Sequence, residues 1–242
     1  MKGLIIKDFF CLKKQLINYV FVIVGVIAVS VLFVLSCRFG NIASYGQASE
    51  VDIAQLAGLA LLLFMLVPLA CTGDISNLFA DDEKASFYKV ASSLPVSVSK
   101  RVASRYIAGL FFIVIGFVVD LVMTIVLSAL TDVISFGEFM GVIVSFTSLM
   151  IMYLSILILC MSLLGKGYRS YANIIPVVVG VGLYAVINLD KLGDIRDLSK
   201  LYYQTVEFIE HKSYILLFAA MLLLISSYAA TVYLSRRKRG AY

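Results

Sequence analysis

Few residues in this chain have the types and spacing that chemistry requires, and together they argue against catalysis. The single histidine, His211, rules out an HExxH zinc site, and Cys11, Cys37, Cys71 and Cys160 show no CxxC spacing. An intramembrane serine protease needs a histidine base inside the membrane, and the apolar runs contain none. An ATPase needs a GxxxxGK[ST] phosphate-binding loop, which is also missing. We therefore expect that this chain is not an enzyme, binds no metal or cofactor, and does not itself hydrolyse ATP.

One acidic residue, Asp120, lies inside a long apolar run. A carboxyl group at membrane depth is costly, faces protein or water, and commonly belongs to a functional site. The structural alternative is a protonated Asp120, or one hydrogen-bonded to Ser or Thr, because no other apolar run contains a basic residue to pair with it. Asp120 is thus a candidate intramembrane polar site with both interpretations open.

The second candidate is the polar segment 74–106, which lies between two apolar runs and is acidic first and basic last. Four of its residues follow the i, i+3, i+4, i+7 spacing of one helical face: Phe87, Val90, Ala91 and Leu94. Acidic residues at the start of this helix suit its dipole, and Pro95 ends it. A second helix can begin at once, capped by Ser97 or Ser99. The pattern predicts an amphipathic helix between two membrane spans.

The apolar face of this helix must be covered, either by the lipid surface or by a groove on a partner protein. The acidic start disfavours the lipid surface, since the inner leaflet is itself negative. A partner groove is therefore the better interpretation. The predicted interface residues are Asp82, Glu83, Lys84, Phe87, Tyr88, Val90, Ala91 and Leu94.

The composition predicts the membrane elements that position these residues. Hydrophobic residues make up 62% of the chain and charged residues 14%, well below the roughly 25% of soluble domains. Six apolar runs are each long enough to cross a bilayer. They are 15–37, 53–73, 106–131, 139–165, 170–189 and 213–235. We predict a single all-α integral membrane domain over residues 1–242 with six transmembrane helices.

The basic residues predict the orientation. With the N-terminus inside, 15 of the 20 Lys and Arg residues fall in inner segments, so both termini are expected in the cytoplasm. The net charge of +5 is then a topology signal, and nucleic acid is not an expected partner.

Two further polar segments flank the spans. Residues 1–16 are basic with an apolar face, which fits an interfacial helix in the inner headgroup region or a simple charged flank. The outer segment 190–212 has helical periodicity among charged residues, so one or two short helices are expected there.

Three stretches of the polar segment and its border, 79–84, 92–97 and 102–106, resemble the membrane subunits of ABC-2 type exporters of Gram-positive bacteria. The permeases of the phenol-soluble modulin exporter group are similar in appearance. Span count and topology resemble the family over the whole chain, and the specific likeness is confined to this loop.

The resemblance implies a six-span permease that works as a homo- or heterodimer with two copies of a separate ATPase subunit, which uses ATP and Mg²⁺. It also implies that the helix around residues 82–93 is the coupling helix docked on that ATPase. On this basis we expect an exporter of the bacterial cell membrane, in contact with lipid. The resemblance does not define the substrate, because related permeases move peptides, drugs, lipids and other compounds; we expect amphipathic or antimicrobial-like peptides. The alternative is a non-transporting immunity or sensor subunit associated with a transporter.

Overall fold

In the computed structural model of the chain, regular structure in the described residues is entirely α-helical. These residues are 2–38, 78–79, 82, 96–130, 136–164, 171, 174–187 and 198–239. Six helices have defined bounds among them: α1 (Lys2–Cys11), α2 (Lys13–Arg38), α3 (Val98–Leu130), α4 (Phe136–Leu163), α5 (Ile174–Ile187) and α6 (Leu198–Arg239). The predicted all-α fold is confirmed for this part of the chain.

Three stretches of these helices are long and apolar enough to cross a membrane: Val98–Val126 in α3, Met140–Leu163 in α4 and Ser213–Arg237 in α6. A shorter apolar stretch, Tyr19–Val29, lies in α2 where the first span is predicted. The second predicted span, 53–73, is outside the described residues. The count of six spans therefore stays a prediction.

The first two helices meet at Leu12, where the chain turns. The Leu12 side chain is 1% exposed and packs in one cluster with Tyr19, Leu78 and Phe112. The Tyr19 hydroxyl also donates a hydrogen bond to the Phe112 carbonyl oxygen at 3.3 Å. We expected the N-terminal helix over about 1–16, but α1 ends at Cys11 and α2 begins at Lys13, with the buried Leu12 between them.

Helix α3 begins one residue after Ser97, which was one of the two predicted caps. The Arg101 N–H donates to the Ser97 carbonyl oxygen at 3.3 Å and closes the first turn, two residues beyond Pro95. The helix has 33 residues, about 50 Å at 1.5 Å per residue, so it exceeds a hydrocarbon core of about 30 Å. Its first turns therefore have length to spare outside the apolar layer.

The main hydrophobic core lies where α3, α4 and α6 pack together. It joins Val102 and Ile113 of α3, Leu154 of α4, and Ala220 and Val232 of α6. Helix α6 packs most extensively on α4, and α1 packs on α3. Since α1 and the last turns of α6 both contact the start of α3, the two terminal segments lie at the same end of the bundle.

Helix α6 is one uninterrupted element of 42 residues, about 63 Å long. We expected a helical outer segment over 190–212 that was separate from the last span. Residues 198–212 are helical, but the helix continues directly into the span. The reason is local, because no Gly or Pro occurs between residues 198 and 239 to end it.

Candidate functional site

A cluster of four charged residues, three buried and one partly exposed, joins α1, residues 78, 79 and 82, and α3. We call it the ionic cluster: Lys7, Asp8, Asp82 and Arg105. Asp8 is 1% exposed, Asp82 6% and Arg105 9%. Arg105 and Lys7 both form ion pairs with Asp82. These ion pairs therefore connect α1, Asp82 and α3, which are far apart in the sequence.

Asp8 is held from three directions. The Ser104 hydroxyl donates to Asp8 Oδ2 at 3.0 Å, Arg105 Nη1 lies 3.2 Å from Asp8 Oδ1, and Lys7 Nζ lies 3.4 Å from the same oxygen. The Arg105 contact lacks the geometry of a hydrogen bond, so it is an ion pair maintained by charge. Consecutive residues of α3, Ser104 and Arg105, therefore both bind one carboxylate of α1.

Arg105 also contacts the segment 78–82 in two ways. Its guanidinium pairs with the Asp82 carboxylate and lies 5.2 Å from the centre of the Phe79 ring, within cation–π range. Leu78, one residue earlier, is buried in the cluster with Leu12 and Phe112. The first part of the polar segment 74–106 is thus attached to α3 by charge, by an aromatic face and by apolar packing.

The local sequence explains how α1 presents Asp8 to this site. Ile5, Asp8, Phe9 and Leu12 follow the i, i+3, i+4, i+7 spacing, so Asp8 lies on the apolar face of the helix. On the same side, the Phe9 ring meets the Phe111 ring edge to face at 4.8 Å. The apolar contacts turn this face toward α3, and the carboxylate is carried into the interior with it.

The charges of the ionic cluster balance, two acidic against two basic. Burial nevertheless lowers the pKa of Lys7, and the Arg105 guanidinium acts in the same direction, while Asp8 opposes both. Removing one member of a buried pair commonly costs about 3–5 kcal/mol, because the remaining charge stays desolvated. The ionic cluster is therefore sensitive to any change that withdraws one of its members.

Hydroxyl groups fasten α6 to the same end of α3. The Tyr106 hydroxyl donates to Ser227 Oγ at 3.1 Å and lies 3.4 Å from Thr231 Oγ1. The Tyr228 hydroxyl donates to the Ser99 carbonyl oxygen at 3.3 Å, and the two tyrosine rings meet edge to face at 5.7 Å. Helix α3 is thus attached to α1 through Arg105 and to α6 through the next residue.

Of the predicted interface residues, only Asp82 lies in the described part of the chain, and its carboxylate is turned inward to the ionic cluster. The others fall outside the described residues: Glu83, Lys84, Phe87, Tyr88, Val90, Ala91 and Leu94. Their role in coupling stays a prediction.

Asp120, the predicted intramembrane site, is 3% exposed within α3. Its Oδ1 atom is buried without a hydrogen-bond partner in the structure as described. Asp120 is not part of the ionic cluster, since it lies fifteen residues beyond Arg105 along the same helix, about 22 Å away.

Sequence reasoning missed Asp8, Ser104 and the burial of Arg105. A signal for Asp8 was present, because it is an acidic residue within the apolar face of a basic segment. For Arg105 the sequence offered no such signal, since it followed two other basic residues and resembled an ordinary charged flank.

Long apolar helices that pack into a bundle, with a buried ionic cluster at one end, define a multi-pass membrane protein. A family model described as ABC-2 family transporter protein matches residues 3–238, so the chain belongs to this family. It is therefore the membrane component of an ABC transporter and not its catalytic subunit. A search of curated proteins and a search of solved structures gave no match.

Proposed function

We propose that this chain is the permease subunit of an ATP-driven exporter, and that it couples to a separate ATPase through the segment 74–106. Two permease chains and two ATPase subunits form the transporter. Membership of the ABC-2 family supports an ABC ATPase as partner. Export as the direction rests on the resemblance of the loop to exporters.

The observation that carries the coupling role is the attachment of Asp82 to Arg105 and Lys7. Asp82 stands at the start of the predicted coupling helix. Arg105 belongs to the first turns of α3, which continues into a membrane span, and Lys7 belongs to the N-terminal helix. A displacement of the loop by an ATPase would therefore be transmitted to both α3 and α1 through ion pairs. Without such an attachment, a loop could move and leave the spans where they were.

The orientation follows from charge and from the position of the terminal segments. Most basic residues fall in the segments assigned to the inside, and α1 lies at the same end of the bundle as the last turns of α6. We therefore place this end, with the ionic cluster, on the cytoplasmic side of a bacterial cell membrane. ATP-driven closure of the ATPase dimer then shifts the spans toward an outward-open conformation.

Amphipathic peptides, including peptides similar to phenol-soluble modulins, are the proposed substrates. The support is the similarity in appearance of the loop motifs at 79–84, 92–97 and 102–106 to the permeases of the phenol-soluble modulin exporter group. An exported amphipathic molecule needs a path that accepts both apolar and charged groups.

Replacement of Phe87 by Asp tests the coupling role. The charge would fall in the middle of the predicted apolar face, so binding of the ATPase should weaken at least about thirtyfold, as for loss of a buried interface aromatic worth about 2 kcal/mol. Ser92→Asp is the matched control, because the same periodicity puts Ser92 on the opposite face. The measurements are copurification of the ATPase and its stimulated ATP hydrolysis.

Phe87→Asp should lose both signals, while Ser92→Asp keeps them and both variants insert normally. Equal copurification and equal stimulation by the two variants would overturn the coupling role. A permease that binds no ABC ATPase in the unmodified form would instead favour the immunity or sensor alternative.

A further inference from the structure

Three carboxylates are buried in the described part of the chain, and one of them differs from the other two. Asp8 and Asp82 are paired with Lys7 and Arg105. Asp120 is buried as deeply, at 3% exposure, yet its Oδ1 atom has no hydrogen-bond partner among the described residues. A buried carboxyl oxygen without a hydrogen-bond partner is costly, so a partner is to be expected.

The nearest hydroxyl on the same helix does not serve this carboxyl group. Thr124, one turn further along, donates its hydroxyl to the backbone oxygen of Asp120 at 2.8 Å. Ser148 and Ser155 of the neighbouring α4 donate to carbonyl oxygens of their own helix, each at 2.7 Å. These hydroxyl groups are used within their helices. The buried Ser145 hydroxyl of α4 is different, because it has no hydrogen-bond partner within the residues that the structure describes and is not bonded to the Asp120 carboxyl group.

No cation within the membrane can come from this chain. The six apolar runs contain no Lys, Arg or His at any position, including the run 53–73 that lies outside the described residues. Whenever Asp120 is ionised, its counter-charge therefore comes from another molecule.

The surroundings favour an organic cation over a metal ion. Met123, one turn from Asp120, packs with Val119 and Val26 in an apolar cluster. A hard metal ion needs several oxygen ligands, and the described residues contain no group of three His, Cys, Asp or Glu that could hold one. One carboxylate beside an apolar cluster matches an amphipathic ammonium or guanidinium compound.

We propose that Asp120 is the binding group for a cationic moiety, an ammonium or guanidinium, of the amphipathic molecule that this permease exports. The inference rests on the proposed transport function, because Asp120 is closed off in this conformation and a ligand enters only when the spans separate. It names a substrate feature, since neutral amphipathic molecules lack the group that Asp120 binds.

The test is protection of Asp120 from dicyclohexylcarbodiimide, an apolar reagent for carboxyl groups inside membranes. The full-length permease with its ATPase is reconstituted in liposomes and labelled with and without ADP and vanadate, so that more than one conformation is sampled. Mass spectrometry then quantifies the label on Asp120, which is the only acidic residue in the six apolar runs. Asp120→Asn, which keeps the shape of the side chain, gives the background.

The probe is dodecylammonium, and dodecanol at the same concentration is its uncharged control. At ten times its dissociation constant, a bound ligand leaves about one site in eleven free, so dodecylammonium should lower labelling about tenfold. Dodecanol should leave labelling unchanged. In a second measurement, stimulation of ATP hydrolysis by dodecylammonium should persist in Asp120→Glu and be lost in Asp120→Asn.

Equal protection by dodecanol would overturn the proposal, because it would show apolar occlusion without charge recognition. If the extent of labelling of Asp120 changed with pH but not with dodecylammonium, Asp120 would bind a proton and not an organic cation, and the proposal would also be overturned. The proposal would also be overturned if dicyclohexylcarbodiimide labelled Asp120 neither with nor without ADP and vanadate. If dodecylammonium protects Asp120 but the permease binds no ATPase, the binding site is supported and the exporter function is refuted. If the ATPase binds and is stimulated normally but Asp120 is not protected, the exporter function is supported and the binding site is refuted.

Discussion

Removal of the Arg105 guanidinium should destabilise the fold more than any change to an exposed charge nearby. Arg105→Gln leaves Asp8 and Asp82 buried, with Lys7 as the only cation for both. Loss of one member of a buried pair costs about 3–5 kcal/mol, which is between two and four orders of magnitude in the unfolding equilibrium constant. The control is Lys100→Gln on the same helix, because Lys100 is exposed and such a change costs within about 0.5 kcal/mol.

Equilibrium unfolding in mixed micelles with increasing dodecyl sulfate, followed by circular dichroism, gives the free energy of unfolding of each variant. The pairwise contribution comes from a cycle with Asp8→Asn. Contacting charges in one network couple by about 0.5–3 kcal/mol, so the double variant should be less unstable than the sum of the single ones. If Arg105→Gln matched Lys100→Gln, or if the cycle were additive, the ion pairs would contribute nothing to joining α1 and α3.

Three further outcomes are expected. A thiol-specific reagent applied outside cells should label Ser199→Cys and not Ser92→Cys, and the reverse would invert the topology. Tyr106→Phe removes the hydrogen bond to Ser227 and should lower the free energy of unfolding by about 1 kcal/mol in the same micelle assay; an unchanged value would show the bond to be dispensable. The pKa of Lys7 is lower in the folded chain than its ordinary 10.5. Between these two pKa values the unfolded chain binds more protons, so the free energy of unfolding rises with pH up to about 10.5. Lys7→Met should flatten this rise.

The long elements of this protein are predictable from sequence because each is a run of apolar residues with a clear end. Pro95 and Ser97 fix the start of α3, and no proline interrupts the apolar run that follows. The same reasoning misjudged α6, where charged residues at 198–212 indicated a separate surface element. Charge alone does not end a helix, and no Gly or Pro follows to do so.

The ionic cluster was less accessible to sequence reasoning, since its members come from three segments separated by more than twenty residues. Pairing of Asp82 with Arg105 depends on how the loop folds back on α3, and periodicity carries no information about that contact. Asp8 is the exception, because its position on the apolar face of α1 marks it as a residue that needs a buried partner. Asp120 was found directly, since a single charge in an apolar run is visible without any structure.

The unbroken course of α6 has a mechanical consequence. Ala220, fully buried in the core with α3 and α4, lies near the middle of the helix, about 33 Å from Leu198 and about 29 Å from Arg239. A helix without a breaker transmits tilt along its whole length. Rotation by about 10° around this point moves the two ends about 5 Å in opposite directions, by the same helix dimensions. The helix is then a lever with arms of nearly equal length, so a displacement on one side of the membrane appears on the other with almost the same amplitude and the opposite sign.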